Sequence, residues 1–178
     1  MRFLTCAAVA ALAFASVSAG AVALFQVDGG GFGQLSQPRN DDGSSSELDL
    51  PFALNFFGTT YESLFVNNNG NVTFGNSYWV YTPEPFPTAS QPMIAPFWGD
   101  VDTRNPESGM VYIGYTGVDN RAATIVTWDN VGYFGMQADK LNSFQLVLID
   151  RNDTGAGNFD IQFRYEKLEW TTGDASGG

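Results

Sequence analysis

The chain has 178 residues, of which 44% are apolar and 15% are charged, and its formal net charge is −11 at pH 7. This length suits one domain with a sizeable core, and the acidity argues against nucleic-acid and anionic-lipid partners, which need basic surfaces. The sequence contains no histidine and one cysteine, Cys6, which excludes histidine-dependent nucleophiles and histidine zinc sites. Carboxylate chemistry remains, either glycoside hydrolysis or coordination of a hard cation.

Residues 1–23 predict a cleaved export signal. Arg2 supplies positive charge, residues 3–14 form an apolar run, and small residues precede two alternative cleavage points after Ala19 and Ala23. The run is shorter than the roughly 20 residues of a membrane-spanning helix, so we expect no transmembrane span in the mature chain. Cleavage removes the only cysteine and leaves a disulfide-free domain, which we expect to be secreted, either extracellular or at the cell surface.

Residues 24–50 predict an N-terminal arm, because glycine, serine, asparagine and aspartate are frequent there and no helical period exists. Within the arm, Asp41-Asp42-Gly43 favours a turn, with a calcium contact as the alternative.

Seven segments after residue 50 have the alternation or β-branched content of strands. They are residues 51–57, 63–67, 71–75, 110–115, 122–129, 143–150 and 159–166. Between the second and third, Asn68-Asn69-Gly70 predicts a tight hairpin, because Asn-Gly tolerates positive φ. Beyond the export signal, only residues 133–141 could form helix, and there no more than a turn or two. The pattern predicts an all-β fold, an antiparallel β-sandwich with long loops, with a β-barrel as the alternative.

The last predicted strand has the cleanest alternation. Phe159, Ile161, Phe163 and Tyr165 share one face, which we expect to be core, and polar residues share the other. Because Leu168 and Trp170 fall out of phase, a bulge is predicted near Lys167.

The segment 94–104 contains two carboxylates, Asp100 and Asp102, separated by Val101. In an extended chain both carboxylates point to one side, which suggests an oxygen-ligand site for calcium. Calcium takes six to eight oxygens, so further ligands are needed, and Asp129, Asp150 and Asp153 are candidates. The alternative is that Asp102 pairs with Arg104 and fixes the loop.

Three aromatic residues, Tyr78, Trp79 and Tyr81, are candidates for stacking against sugar rings, with core packing as the alternative. Trp98 lies in an apolar run and is expected in the core. A glycoside hydrolase would need two carboxylates facing each other across roughly 5 to 10 Å, and the sequence singles out no such pair.

Six blocks in one order resemble the nidogen-like extracellular (NIDO) domain. They are Pro51-Phe52 with Phe56-Phe57-Gly58, then residues 66–75, 94–104, 127–131 and 142–148, and finally Phe163-Arg164-Tyr165 with Trp170. The similarity extends from about Phe25 to the end of the chain. Six blocks in register are far more specific than any one of them.

The resemblance implies a non-catalytic extracellular module for cell-matrix or cell-surface adhesion, with no cofactor beyond possible calcium. Its partner would be an extracellular-matrix or cell-surface protein or glycan. The absence of mature cysteines is similar to bacterial secreted surface proteins, in which a C-terminal sorting segment often follows. We therefore expect residues 51–178 to form a NIDO-like β domain whose C-terminus is truncated.

Overall fold

A computed structural model describes residues 20–86 and 89–171 of the chain. The predicted export signal falls mainly on residues 1–19, outside the described residues. No helix among the described residues is long and apolar enough to cross a membrane.

The described residues form nine strands and no helix. The strands are β1 (Leu35–Ser36), β2 (Leu48–Phe56), β3 (Thr59–Asn67), β4 (Asn71–Thr73), β5 (Met93–Ile94), β6 (Met110–Val118), β7 (Arg121–Tyr133), β8 (Gln137–Asp150) and β9 (Phe159–Leu168). The seven predicted strands all exist. The helical turns expected over residues 133–141 are wrong, because β7 and β8 form a hairpin there whose turn uses positive φ at Gly135 and Met136.

Two antiparallel sheets face each other across one core, which confirms the sandwich over the barrel. One sheet has the order β1-β6-β7-β8-β9 and the other β2-β3-β4-β5. Their inner faces supply the main buried apolar cluster, with Trp128 stacked on Phe144 at 4.9 Å between ring centroids. A second buried cluster, which includes Ile125 and Val147, is packed against Phe25 and Val27. On β2, Phe52 and Leu54 are buried and Phe56 packs against the core, as the alternation predicts.

The turn at residues 68–70 joins β3 to β4 and is confirmed as a hairpin. Gly70 has a φ of +79°, and a Cβ there would lie 1.7 Å from the carbonyl oxygen of Phe97. The indole of Trp128 donates to the carbonyl of Asn68 at 2.9 Å. The turn is therefore fixed to the core on both sides.

Strand β9 carries the predicted bulge, at Glu166. Lys167 pairs with Ser143 and Tyr165 with Phe144, so Glu166 is the additional residue. The prediction that Ile161 and Phe163 are core is wrong, because these side chains are 42% and 45% exposed. The reason is that β9 is an edge strand, and the opposite sheet ends in the two-residue β5, which is too short to cover it.

Candidate functional site: an acidic loop cluster and an apolar edge groove

Three loops meet at one end of the sandwich: residues 40–43 of the N-terminal arm, the turn 68–70, and residues 99–104. Hydrogen bonds join them, from Thr103 N to Asn40 O at 2.9 Å, from Asn68 N to Gly43 O at 2.9 Å, and from Val101 N to Asn69 Oδ1 at 3.0 Å. Three segments distant in sequence are therefore held as one surface.

Three carboxylates converge where these loops meet. Asp41, Asp42 and Asp100 each place one oxygen within 4.8 Å of the others. Asp100 is only 3% exposed, while the other two are half-buried. Each pair of negative charges at this separation repels by about 1 to 3 kcal/mol, for effective dielectric constants between those of water and a protein surface. Such an arrangement favours uptake of a cation or a proton.

Burial and this repulsion act together on Asp100. The pKa of its carboxyl is raised to about 7, first by burial and then by the negative charges of Asp41, Asp42 and Asp102, while the nearby Arg104 opposes them. Burial and the charge of Asp102 also raise the pKa of Asp41. Both carboxyls are therefore held less readily as anions than an aspartate in water.

Asp102 behaves in the opposite way because it has donors. Burial opposes its charge, but hydrogen bonds from Arg104 and from Met136 N outweigh burial and lower its pKa. Arg104 approaches both carboxylate oxygens, at 2.9 Å from Nε to Oδ1 and 2.6 Å from Nη2 to Oδ2. Asp102 therefore pairs with Arg104, as the alternative to a calcium ligand proposed.

Buried oxygens without a donor concentrate in this cluster. The described residues include five buried side-chain polar atoms that have no hydrogen-bond partner among them, and three are Asp41 Oδ1, Asp100 Oδ1 and Asn68 Oδ1. The amide nitrogen of Asn68 donates to the carbonyls of Asp41 and Val101, so this side chain lies between the acidic segments. Buried polar atoms normally have partners, so three without one at a single place need an explanation.

The acids predicted as further ligands have other partners. Asp153 pairs with Arg121 and Arg151, and Asp150 accepts from Asn152, while Asp129 accepts from its neighbour Asn130. The acids that approach Asp100 instead come from the arm, at Asp41-Asp42-Gly43. The sequence indicated a calcium contact there only as the alternative to a turn, and gave no sign that it faced Asp100.

The aromatic candidates separate by exposure. Tyr78 is buried and its hydroxyl donates to Glu84, so its ring offers no face on which a sugar could stack. Trp79 is 67% exposed and Tyr81 38% exposed, so both rings are accessible. Trp98 is half-buried against Tyr78 and donates to the carbonyl of Val80, outside the main core in which it was expected.

A second surface feature lies at the open edge of the sandwich. We call it the edge groove, a cavity of about 830 Å³ between β9 and the β5 side of the other sheet. Four of its lining side chains are strongly exposed apolar groups, Phe57, Phe86, Ile161 and Phe163. None of its described lining residues is an acid, so it lacks the facing carboxylates of a glycoside hydrolase.

The fold and these two features define an all-β sandwich module whose candidate functional groups lie on loops and on a strand edge. A family described as NIDO related matches residues 11–178. The chain belongs to this NIDO-related family, as the order of its sequence blocks indicates.

Several curated proteins are similar to this chain. Alpha-tectorin of Mus musculus is 38% identical over 164 residues, covering 79% of this chain and 7% of the relative. Nidogen of Drosophila melanogaster is 28% identical over 178 residues, covering 86% and 13%, and nidogen-2 of Mus musculus is 27% identical over 158 residues, covering 72% and 11%. The chain thus spans a small part of these relatives. No solved structure matches it. Because the chain is similar to nidogens and alpha-tectorin, it is an extracellular module of the matrix-protein type.

Proposed function

We propose that the chain is a non-catalytic module for adhesion to the extracellular matrix or to a cell surface, and that the edge groove is its contact surface. The observation that carries the proposal is the exposed apolar side chains of this groove in a chain of the matrix-protein type. Phe57 is 94% exposed and Phe86 60% exposed, although both are large and apolar. Soluble monomers rarely leave such groups together at one place unless a partner covers them.

The groove suits an apolar protein partner. Its walls are the edge strand β9 on one side and, on the other, residues 89–95 with residues 56–61 of the β2–β3 hairpin. It therefore offers apolar side chains and the part of the β9 edge that precedes Tyr165, whose carbonyl accepts from Val22 N. Binding by addition of an extended segment to a strand edge uses these two elements together. The partner is therefore proposed to insert apolar side chains between the sheets.

Carbohydrate binding is the second candidate function, and the exposure of Trp79 favours it. An indole that is 67% exposed offers a face on which a sugar ring can stack. A glycan array separates the candidates, because specific glycan signals that disappear in Trp79→Ala support sugar recognition. An array without signal above background removes this candidate and leaves the groove proposal in place.

The direct test of adhesion is equilibrium binding of the purified chain to matrix and cell-surface extracts of its source. Adhesion predicts saturable binding that excess unlabelled chain displaces. An unrelated acidic β-sandwich of similar charge is the control, because acidity alone gives non-specific retention. Retention no greater than that of the control would contradict the proposal.

A further inference from the structure

We propose that Asp41, Asp42 and Asp100 bind a calcium ion, which links the N-terminal arm to the end of the sandwich. The three side chains each bring a carboxylate oxygen within 4.8 Å of the other two. One coordinated cation can contact all three at such separations, because calcium–oxygen distances are about 2.3–2.6 Å.

The independent support is the state of the buried oxygens. Asp100 is 97% buried, and its Oδ1 has no hydrogen-bond partner among the described residues. Asp41 uses Oδ2 to pair with Arg104 at 2.8 Å, while its Oδ1 is also buried and without a donor. Protein interiors seldom leave carboxylate oxygens in this condition. Two oxygens of this kind in one cluster indicate a ligand that accepts their electron pairs.

The charges at this position are unbalanced. The negative charges of Asp41, Asp42 and Asp102 all act on Asp100, and Arg104 is the opposing cation. Arg104 donates hydrogen bonds to both carboxylate oxygens of Asp102 and forms an ion pair with one oxygen of Asp41. A divalent cation would neutralise the excess negative charge that remains.

The chemistry of the ligand atoms determines which cation this site would bind. The three side chains offer carboxylate oxygens, the ligand atoms that calcium and magnesium prefer. The acids come from two separate loops and Asp42 is half-buried, so the site is irregular and partly open. Calcium tolerates irregular geometry and higher coordination numbers, whereas magnesium demands a near-ideal octahedron. We therefore assign calcium.

The neighbouring side chains already hold the acids in place. Asn69 donates from Nδ2 to Asp42 Oδ1 at 2.8 Å and accepts from Val101 N at 3.0 Å. The same turn thus orients one acid from the arm and the backbone beside Asp100. A bound cation would fasten the arm to the sandwich whether or not the edge groove binds a partner.

Calorimetric titration of chelator-treated protein with calcium chloride tests the site. We expect one saturable event with a dissociation constant in the roughly 10⁻⁴–10⁻³ M range of extracellular calcium modules. The melting temperature should rise with calcium and much less with the same concentration of magnesium. Neither heat nor a melting shift at millimolar calcium would overturn the proposal.

Two variants locate the binding and one serves as control. Asp100→Asn and Asp42→Asn each remove one charged ligand, so each should weaken calcium binding about tenfold or more. In chelator, Asp100→Asn should melt at a higher temperature than the natural chain, because a repelling charge is gone. The control Asp119→Asn makes the same change in an exposed turn at a residue outside the cluster and should bind as the natural chain does. Equal calcium affinity in all four proteins would overturn the assignment.

Discussion

Asp100 and Asp102 show how two carboxylates two residues apart acquire opposite properties. Both face the same loop junction, as extended geometry requires. Asp102 accepts hydrogen bonds from Arg104 and Met136, whereas Asp100 Oδ1 has no partner in the described part of the chain. The supply of donors, more than burial, therefore separates a structural anion from a candidate ligand.

Asp102→Ala should lower the free energy of unfolding by about 2–3 kcal/mol, since it removes a buried carboxylate that accepts hydrogen bonds from a charged guanidinium and from a backbone amide. The natural side chain is fully buried and accepts from the Met136 amide as well as from Arg104. The control is Asp160→Ala, which breaks an exposed ion pair with Arg151 and should cost less than about 1 kcal/mol. Urea denaturation of the three proteins measures the difference. Equal losses would contradict the role given to Asp102.

Asp129→Asn should change how stability depends on pH. Burial raises the pKa of Asp129 above its ordinary value of 3.8, helped by the charge of Glu166 and opposed by Asn130 and Lys167. The folded chain therefore keeps this proton at pH values where the unfolded chain has released it. The contribution of Asp129 to stability is complete below pH 3.8 and is lost as the pH rises through the folded pKa.

The variant has no such proton to lose. Its free energy of unfolding should therefore rise relative to that of the natural chain over this interval and then stay parallel to it. Paired urea denaturation series across the acid range give this difference. A difference that is constant with pH, or that changes in the opposite direction, would contradict the raised pKa.

The contacts at the residue scale were predictable when they were local. The pairing of Asp102 with Arg104 involves residues two apart, and extended geometry brings them together. The approach of Asp41 to Asp100 was not predictable, because it depends on where the arm crosses the sandwich. The sequence offered Asp129, Asp150 and Asp153 equally well as partners.

At the scale of elements, the turn 68–70 has the greatest structural consequence. It joins two strands, receives the Trp128 indole and helps to hold the acidic loops. The Asn-Gly pattern was sufficient to predict the turn, because the positive φ of Gly70 is a local requirement. The buried contacts of the two asparagines were not predictable, since they come from β7, from the arm and from the loop 99–104.

Gly70→Ala should lower the free energy of unfolding by roughly 3 kcal/mol or more, because positive φ and a backbone clash act together. The added Cβ would lie 1.7 Å from Phe97 O. Gly58→Ala is the matched control, with a φ of +89° and nothing within 4 Å of the added Cβ, and should cost only about 1–2 kcal/mol. Chemical denaturation gives both values. A loss in Gly70→Ala no larger than in the control would refute the close approach.

Strand β9 shows which structural features its own sequence pattern can predict and which it cannot. Its alternation predicted the strand and its bulge correctly, since both depend on neighbouring residues. Whether the apolar face of Ile161 and Phe163 is covered depends on the opposite sheet, which ends in the short strand β5. The sequence of β9 contains no information about that length.

At the scale of the whole molecule, two sheets share a closed core and leave one edge apolar and open. The acidic end and the edge groove have different residues and different chemistry, so each can be changed without the other. The sandwich was predictable from seven short strands and their turns. The placement of exposed apolar groups along one edge was not, because it is a property of the assembled sheets.

The adhesion proposal is tested most directly by binding isotherms of the labelled chain on matrix and cell-surface preparations of its source. We expect saturable binding by the natural chain. The double variant Ile161→Ser with Phe163→Ser should bind at least about tenfold more weakly, because central apolar contacts dominate interface energies. Leu168→Ser is the matched control, since Leu168 is on the same strand and 43% exposed but does not line the groove; it should bind as the natural chain does. Absence of saturable binding would contradict adhesion, and equal binding by all three proteins would contradict the groove as its surface.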